Sequence, residues 1–269
     1  MNYNITIYST CQGEFIMYYL KQILGNQCTF NFLANYHYIL NKWDIPYNIL
    51  NNTNIFIYQQ ISSKYNEYST DDNVPNNIMT HIPKNCVLIR IPYVYASWLF
   101  SISYAWERDA TFNFNKIDNN GTKTIYINKE PIEKLKMQHA LEEILQLYDE
   151  GKIDFEYKNR FERETQILRE KEKTCNVKIV DFIIDNYKNA KLFTTHNHPT
   201  YIIIKEMSKQ IIQLLNIEYD ENLILNNNYC LPGENKISSY DILYHNFNFN
   251  VTVDDDEIKK YIIDIYNNF

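Results

Sequence analysis

Long runs of lysine or arginine are missing from this 269-residue chain, whose formal net charge is −7 and whose pI is near 5.4. A surface built to neutralise nucleic-acid phosphates is therefore not expected, and a small-molecule or glycan partner fits the charge better. Glycine is scarce, at five residues, and so is alanine, while Asn, Ile, Lys and Tyr are abundant. That bias reflects an AT-rich genome more than it reflects chemistry. The cysteines (Cys11, Cys28, Cys86, Cys175 and Cys230) are odd in number and widely spaced, with no CxxC pair. Their pattern argues against a zinc ribbon and for a reduced, cytoplasmic compartment, with no metal expected. The opening "MNYNITIYST" lacks the basic-then-apolar order of a secretion signal. The longest uncharged run, "IPYVYASWLFSISYAW" (91–106), falls short of the about 18 residues a membrane span needs and is interrupted by Pro92 and three serines. It is expected to be buried or site-lining, and no membrane span is expected.

What is present is 45% hydrophobic residues, enough for one sizeable core or two small ones, and one domain over 1–269 is the starting expectation. "NITIYS" (4–9) alternates and is rich in β-branched residues, as a strand does, and "CQGEFIMYYLKQIL" follows at helical spacing with Phe15, Tyr19 and Ile23 on one stripe. "CTFNFLANY" (28–36), "NIFIYQQI" (54–61) and "CVLIRIPYV" (86–94) have the character of buried strands, separated by stretches long enough for crossovers. Strands alternating with helices predict an α/β fold, a parallel sheet covered on both faces in a three-layer core. Over 130–174 the chain turns charged: "PIEKLKMQHALEEILQLYDEG" and "EYKNRFERETQILREKEK" predict a helical hairpin, inserted as a solvated arm. "VKIVDFIIDNY" (177–187) continues helically and "KLFTT" (191–195) is short and strand-like.

In open α/β sheets ligands bind at the carboxyl ends of strands, where loops lead into helix N-termini. "STCQGE" (9–14) is such a loop. Its Cys11 falls at a helix N-terminus, where backbone N–H groups and the macrodipole favour a thiolate or a bound anion, and Gly13 lets backbone approach a ligand closely. A packed, inert thiol is the plainer alternative. "THNHPTYIIIKEMSKQ" (195–210) is a second such place. Pro199 suits the first helical position, Asn197 or His198 the cap, and Ile203, Met207, Ile211 and Leu214 form the stripe behind. His196 and His198 then sit at a helix mouth that keeps an imidazole neutral, as a general base requires, although one capping and one surface histidine is the plainer alternative. Gln59 and Gln60 leave a buried strand, where alternation sends at most one towards a shared site. Arg90, Pro92 and Tyr93 end another strand; Arg90 suits a phosphate or a structural salt bridge.

"STCQGEFIMYYL", "IFIYQQIS", "CVLIRIPYVYASWLF" and "TTHNHPTYIIIKEMSKQI", followed by "LPGENKISSYDIL" (231–243), together resemble the motifs of the WcbI-like polysaccharide-biosynthesis proteins. The resemblance covers most of the chain outside the helical stretch. It implies acetylation of capsule sugars and binding of coenzyme A. Ser9-Thr10 departs from the family's usual Gly-Asn, so Thr10 or backbone N–H groups would have to serve the oxyanion. More distantly the layout resembles the SGNH hydrolases and a flavodoxin-like core, with Cys11 in place of the first-block serine and Thr195-His196-Asn197-His198 in place of Asp-x-x-His. The aspartate is missing, which leaves a hydrolase triad incomplete. The AT-rich bias with a glycan-modifying family also resembles acetyltransferase domains of giant amoebal viruses, whose implied acceptor is the 4-amino group of a nucleotide-linked 4-amino-4,6-dideoxyhexose, viosamine.

The resemblance thus implies an acetyl-CoA-dependent transferase acting on a sugar or sugar nucleotide. It assigns His198 as base, His196 as its partner or a CoA contact, and Cys11 as a neighbour of the oxyanion or a covalent carrier. Thr10, Gln12, Gly13, Arg90, Asn197 and Thr200 fall to the cofactor and Gln59, Gln60 and Tyr93 to the sugar. A carbohydrate esterase or deacetylase of the same layout, or a non-catalytic glycan-binding protein exploiting the 24 tyrosines, are the alternatives.

Overall fold

The computed structural model describes residues 3–108, 122–220, 222–225, 228–229 and 234–268. In chain order the strands are β1 (Tyr3–Ser9), β2 (Cys28–Ala34), β3 (Ile55–Gln59), β4 (Val87–Ile91), β5 (Ser103–Arg108), β6 (Thr122–Ile127), β7 (Phe193–Thr195) and β8 (His198–Pro199). The helices are α1 (Cys11–Leu24), α2 (Asn35–Asn41), α3 (Tyr47–Leu50), α4 (Glu130–Lys136), α5 (Leu141–Asp149), α6 (Tyr157–Glu172), α7 (Val180–Asn186), α8 (Tyr201–Leu214), α9 (Asn222–Leu225), α10 (Ser239–His245) and α11 (Asp255–Asn268). The chain, whose length suggests one domain, divides into two compact units: Met1–Val94 with Ile167–Ile184 and Pro199–Leu231, and Tyr95–Gln166 with Asp185–His198 and Pro232–Phe269.

The first unit holds the expected parallel sheet, in the order β2-β1-β3-β4 and flanked by helices. Strands covered on both faces must be apolar throughout rather than alternating, and all five residues of β3 are buried. Ile5 and Ile7 of β1 are sealed as well. Tyr8, Leu33, Leu50, Phe56, Tyr58 and Ile78 form one core cluster; each large apolar side chain so buried contributes about 1.5–3 kcal/mol. Helix α1 packs on α8. Its stripe of Phe15, Ile16, Tyr19 and Leu20 is buried. From β1 the chain moves outward to β2 on one side and then returns to β3 on the other. The order therefore reverses between β1 and β3, the place where loops diverge above the carboxyl edge and leave room for a ligand.

The second unit contains the antiparallel pair β5 and β6. The charged stretch over 130–174 is not a solvated hairpin. It forms α4, α5 and α6 in succession, and Ile132, Ile144, Tyr148, Ile153, Phe155 and Tyr157 pack with Ile258, Ile262 and Ile265 of α11 in one core. Most of the Glu and Lys occupy the outer faces while helical spacing turns the apolar residues inward. Glu164 and Glu172 are buried instead, Glu164 accepting from Ser97 and Glu172 from the backbone N–H groups of Ile179 and Val180. Among the described residues no helix is long and apolar enough to cross a membrane.

Candidate functional site

A cavity of about 630 Å³ opens at the carboxyl ends of the four parallel strands of the first unit. Each strand delivers lining residues at its end: Thr10 after β1, Asn35 and Tyr36 after β2, Gln59 and Gln60 at the end of β3, and Pro92 and Tyr93 after β4. Lys171 and Cys175 complete one side. Asn35 is only 2% exposed, yet its Nδ2 has no hydrogen-bond partner in the protein, and the buried Oγ1 of Thr10 has none either. Buried polar atoms are almost always bonded, so two such atoms on one cavity wall mark a surface shaped for a polar ligand or ordered water.

Gln59 and Gln12 hold this wall in place. Gln59 Oε1 accepts the backbone N–H of Thr10 (2.9 Å), and its Nε2 donates to Gln12 Oε1 (3.1 Å) and to the carbonyl of Pro92 (3.3 Å). Gln12, fully buried, donates from Nε2 to the carbonyl of Val94 (2.7 Å) and accepts the Val94 N–H at Oε1 (3.2 Å). Two amides thereby tie the ends of β1, β3 and β4 together, and the assignment of Gln12 to a cofactor gives way to a bracing role. Gln60 is exposed and lines the cavity beside Gln59. Strand alternation does not separate the two, because β3 ends at Gln59 and Gln60 already belongs to the loop.

Gly13 also departs from expectation. A Cβ there would stand 1.8 Å from Ser9 Oγ and 2.8 Å from Ile7 Cγ2, so the glycine serves the close packing of α1 on β1 rather than the approach of a ligand. Cys11 is the first residue of α1, half-buried and in no disulfide, but it is not among the residues that line the cavity. Cys175 does line it, and burial pushes its thiol up to about 11, so it is protonated at neutral pH. Arg90 points elsewhere: its guanidinium lies over the Tyr58 ring, 5.5 Å from the centroid, and Nε donates to Tyr58 Oη at 3.4 Å.

His196 and His198 belong to the second unit. They do not open a helix. His196 and Asn197 form the turn between β7 and β8, His198 and Pro199 make up β8, and Thr200 is the cap of α8. Asn197 Oδ1 accepts the Thr195 hydroxyl at 3.1 Å, which takes that oxygen out of capping. Burial, with the neighbouring His198 second, pulls His196 down to about 4. Its imidazole is neutral at physiological pH, as a base or hydrogen-bond partner must be, but the cause is desolvation and not a helix dipole. The carbonyl of His196 accepts the Ala96 N–H at 2.6 Å, which anchors the turn.

Asn35 and Tyr36 were within reach of sequence reasoning, since "LANYHY" follows the second strand as "STCQGE" follows the first. Lys171 and Cys175 come from the end of α6 and the turn after it, where nothing local signals a site. Among the described residues no group of His, Cys, Asp and Glu could hold a metal ion. Cys230 and residues 231–233 of the closing segment lie outside the described residues.

A parallel sheet with polar side chains gathered at its carboxyl edge has the arrangement in which α/β proteins bind small ligands. The family model described as polysaccharide biosynthesis enzyme WcbI matches residues 4–220, and the chain belongs to that family. The segment 231–243 lies beyond the matched range. A solved structure of WcbI, described as a novel polysaccharide biosynthesis enzyme and as the native protein without a disulfide bond between CoA and one of its cysteines, is similar in fold. It is 13% identical with a TM-score of 0.67, and the match covers 100% of this chain and 91% of that one. No curated protein sequence matches the chain.

Proposed function

We propose that the protein is an acetyl-CoA-dependent acetyltransferase that modifies a sugar in polysaccharide or glycan biosynthesis. The carrying observation is the carboxyl-edge cavity, where Thr10 and Asn35 present polar atoms without protein partners, in a chain of a polysaccharide-biosynthesis family. The solved WcbI, described without a disulfide bond between CoA and one of its cysteines, supports CoA as the donor here. Cys11, one residue past Thr10 and at the start of α1, is the thiol assigned here to lie beside CoA.

In the proposed reaction an acceptor hydroxyl or amine attacks the thioester carbonyl carbon. A general base takes the acceptor's proton as the new bond forms; His198 is the residue assigned to it from the sequence, with His196 as its neutral partner or a CoA contact. The carbonyl oxygen becomes an oxyanion held by Thr10 and the backbone at the start of α1. The C–S bond then breaks, and CoA leaves as a thiolate that receives the proton. Asn197 and Thr200 remain assigned to CoA and Gln60 and Tyr93 to the sugar, while Gln12, Gly13 and Gln59 act by holding the loop and Arg90, held on Tyr58, drops out of the assignment. Transfer is direct: a donor that is already a thioester needs no second thioester on Cys11. The acceptor is a sugar or sugar nucleotide, with the 4-amino group of UDP-viosamine as a specific candidate.

Incubation with acetyl-CoA and a panel of hydroxy- and amino-sugar nucleotides, read by mass spectrometry, is expected to give an acetylated sugar and free CoA. His198→Ala should abolish the product and Cys11→Ser should keep it. Acetate released from an acetylated sugar without CoA would replace this reading by that of an esterase.

A further inference from the structure

The second unit has a cavity of its own, of about 260 Å³, that the acetyl-transfer reading does not use. Its wall is rich in rings: Phe100 and Phe193 are buried, and Tyr187, Phe247 and Phe249 are partly exposed. The Phe247 and Phe249 centroids lie 5.0 Å apart with the rings tilted by 42°. Asn250, Thr252 and Asp254 add polar groups beside the rings, and Asn235, also on the lining, is only 2% exposed with no protein partner for either Oδ1 or Nδ2 of its carboxamide. Its backbone N–H donates to the carbonyl of Thr194 at 2.7 Å, which fixes where the amide sits. Lys191 and Lys236 also line the cavity, each paired with a carboxylate, Glu234 and Asp254 respectively.

Leaving both ends of a buried carboxamide unbonded costs free energy that an apolar side chain of the same size would not incur. A ligand that cancels this cost must offer one donor and one acceptor side by side. It must also be flat and apolar enough to lie among the rings. A nucleobase meets both conditions, because every base has adjacent donor and acceptor atoms on one edge and asparagine can pair with such an edge bidentately. Stacking on aromatic rings tolerates any base. The volume suits one base, with ribose and phosphate outside it, and lysines already paired with carboxylates leave the base to provide the affinity.

We infer that this cavity binds the nucleobase of a nucleotide, with Asn235 reading its donor–acceptor edge. The base could come from a nucleotide-activated sugar or from an adenine-bearing cofactor. Base recognition here stands whether or not acetyl transfer occurs, so a failed transferase assay leaves it intact.

The test is isothermal titration of uridine, cytidine, adenosine and guanosine into the intact protein and into Asn235→Leu. At least one nucleoside should bind saturably, and the variant should bind it about tenfold to a hundredfold more weakly. The ligand-free variant should melt no lower than the natural protein, because the substitution removes an unbonded amide; a merely structural asparagine would give a lower Tm. A preference for uridine points to the activated sugar, and one for adenosine to the cofactor. Should Asn235→Leu fail to fold, Phe249→Ala on the same wall takes its place, with the same loss expected. No binding of any nucleoside at millimolar concentration, or undiminished binding to the variants, overturns the assignment.

Discussion

Gly13 and His196 are the two residues whose surroundings most change what their identities suggest. At Gly13 the missing side chain is filled by Ser9 and Ile7 of β1. Gly13→Ala is expected to cost about 1–3 kcal/mol in urea unfolding, since overpacking forces the helix off the strand. Adding Ser9→Ala should recover part of that loss by removing the nearer of the two obstacles. His196 and His245 are both pulled down to about 4, chiefly by burial. Unfolded, each titrates near 6.5. Between pH 6.5 and 4 the unfolded chain therefore binds more protons, and stability falls as the pH falls. Asp241, pushed up to about 6 by burial, acts in the opposite sense over an overlapping range. With two histidines against one carboxyl, the urea midpoint should decline from pH 6.5 towards pH 4; a flat midpoint would contradict the buried, neutral state of the imidazoles. At this scale the sequence placed Thr10 and Gln59 at strand ends correctly. It could not tell whether Gly13 faces a ligand or a strand, because a glycine's neighbours come from another element.

Among the elements, α8 and α10 begin in contrasting ways. Pro199 in "HNHPTY" looks like a first helical residue, but β8 takes up His198 and Pro199, and capping falls to Thr200, whose side chain makes no cap bond. Ser238 caps α10 reciprocally: its Oγ accepts the Asp241 N–H at 3.1 Å, and Asp241 Oδ2 accepts the Ser238 N–H at 2.7 Å. Ser238→Ala should thus cost about 1–2 kcal/mol, measurably more than Thr200→Ala, in thermal or urea unfolding. Equal losses would mean that the cap geometry does not set the stability of either helix. The central strands β1 and β3 were legible because burial on both faces leaves continuous apolar runs, whereas β2 and β4 at the edges are partly exposed. The helices of 130–174 were legible as helices but not as core, since Ile132, Ile144 and Tyr148 are spread thinly among charges that dominate the pattern.

For the whole molecule, alternation of strands and helices announces the parallel sheet, and the strand-end rule then locates the cavity without any structure. The order β2-β1-β3-β4 and the division into two units leave no such trace. Each unit is assembled from three separated segments, and contacts across such distances in sequence have no local signature. Family membership over residues 4–220 gives the carboxyl-edge cavity its proposed chemistry. That chemistry is tested most directly by isothermal titration of acetyl-CoA into the protein and into Asn35→Leu, which removes the buried Nδ2 from the cavity wall. Saturable binding that weakens about tenfold in the variant, the effect of losing one buried hydrogen bond, is the predicted result. Absence of binding at millimolar acetyl-CoA, or equal binding by both proteins, would contradict the assignment of this cavity to the donor.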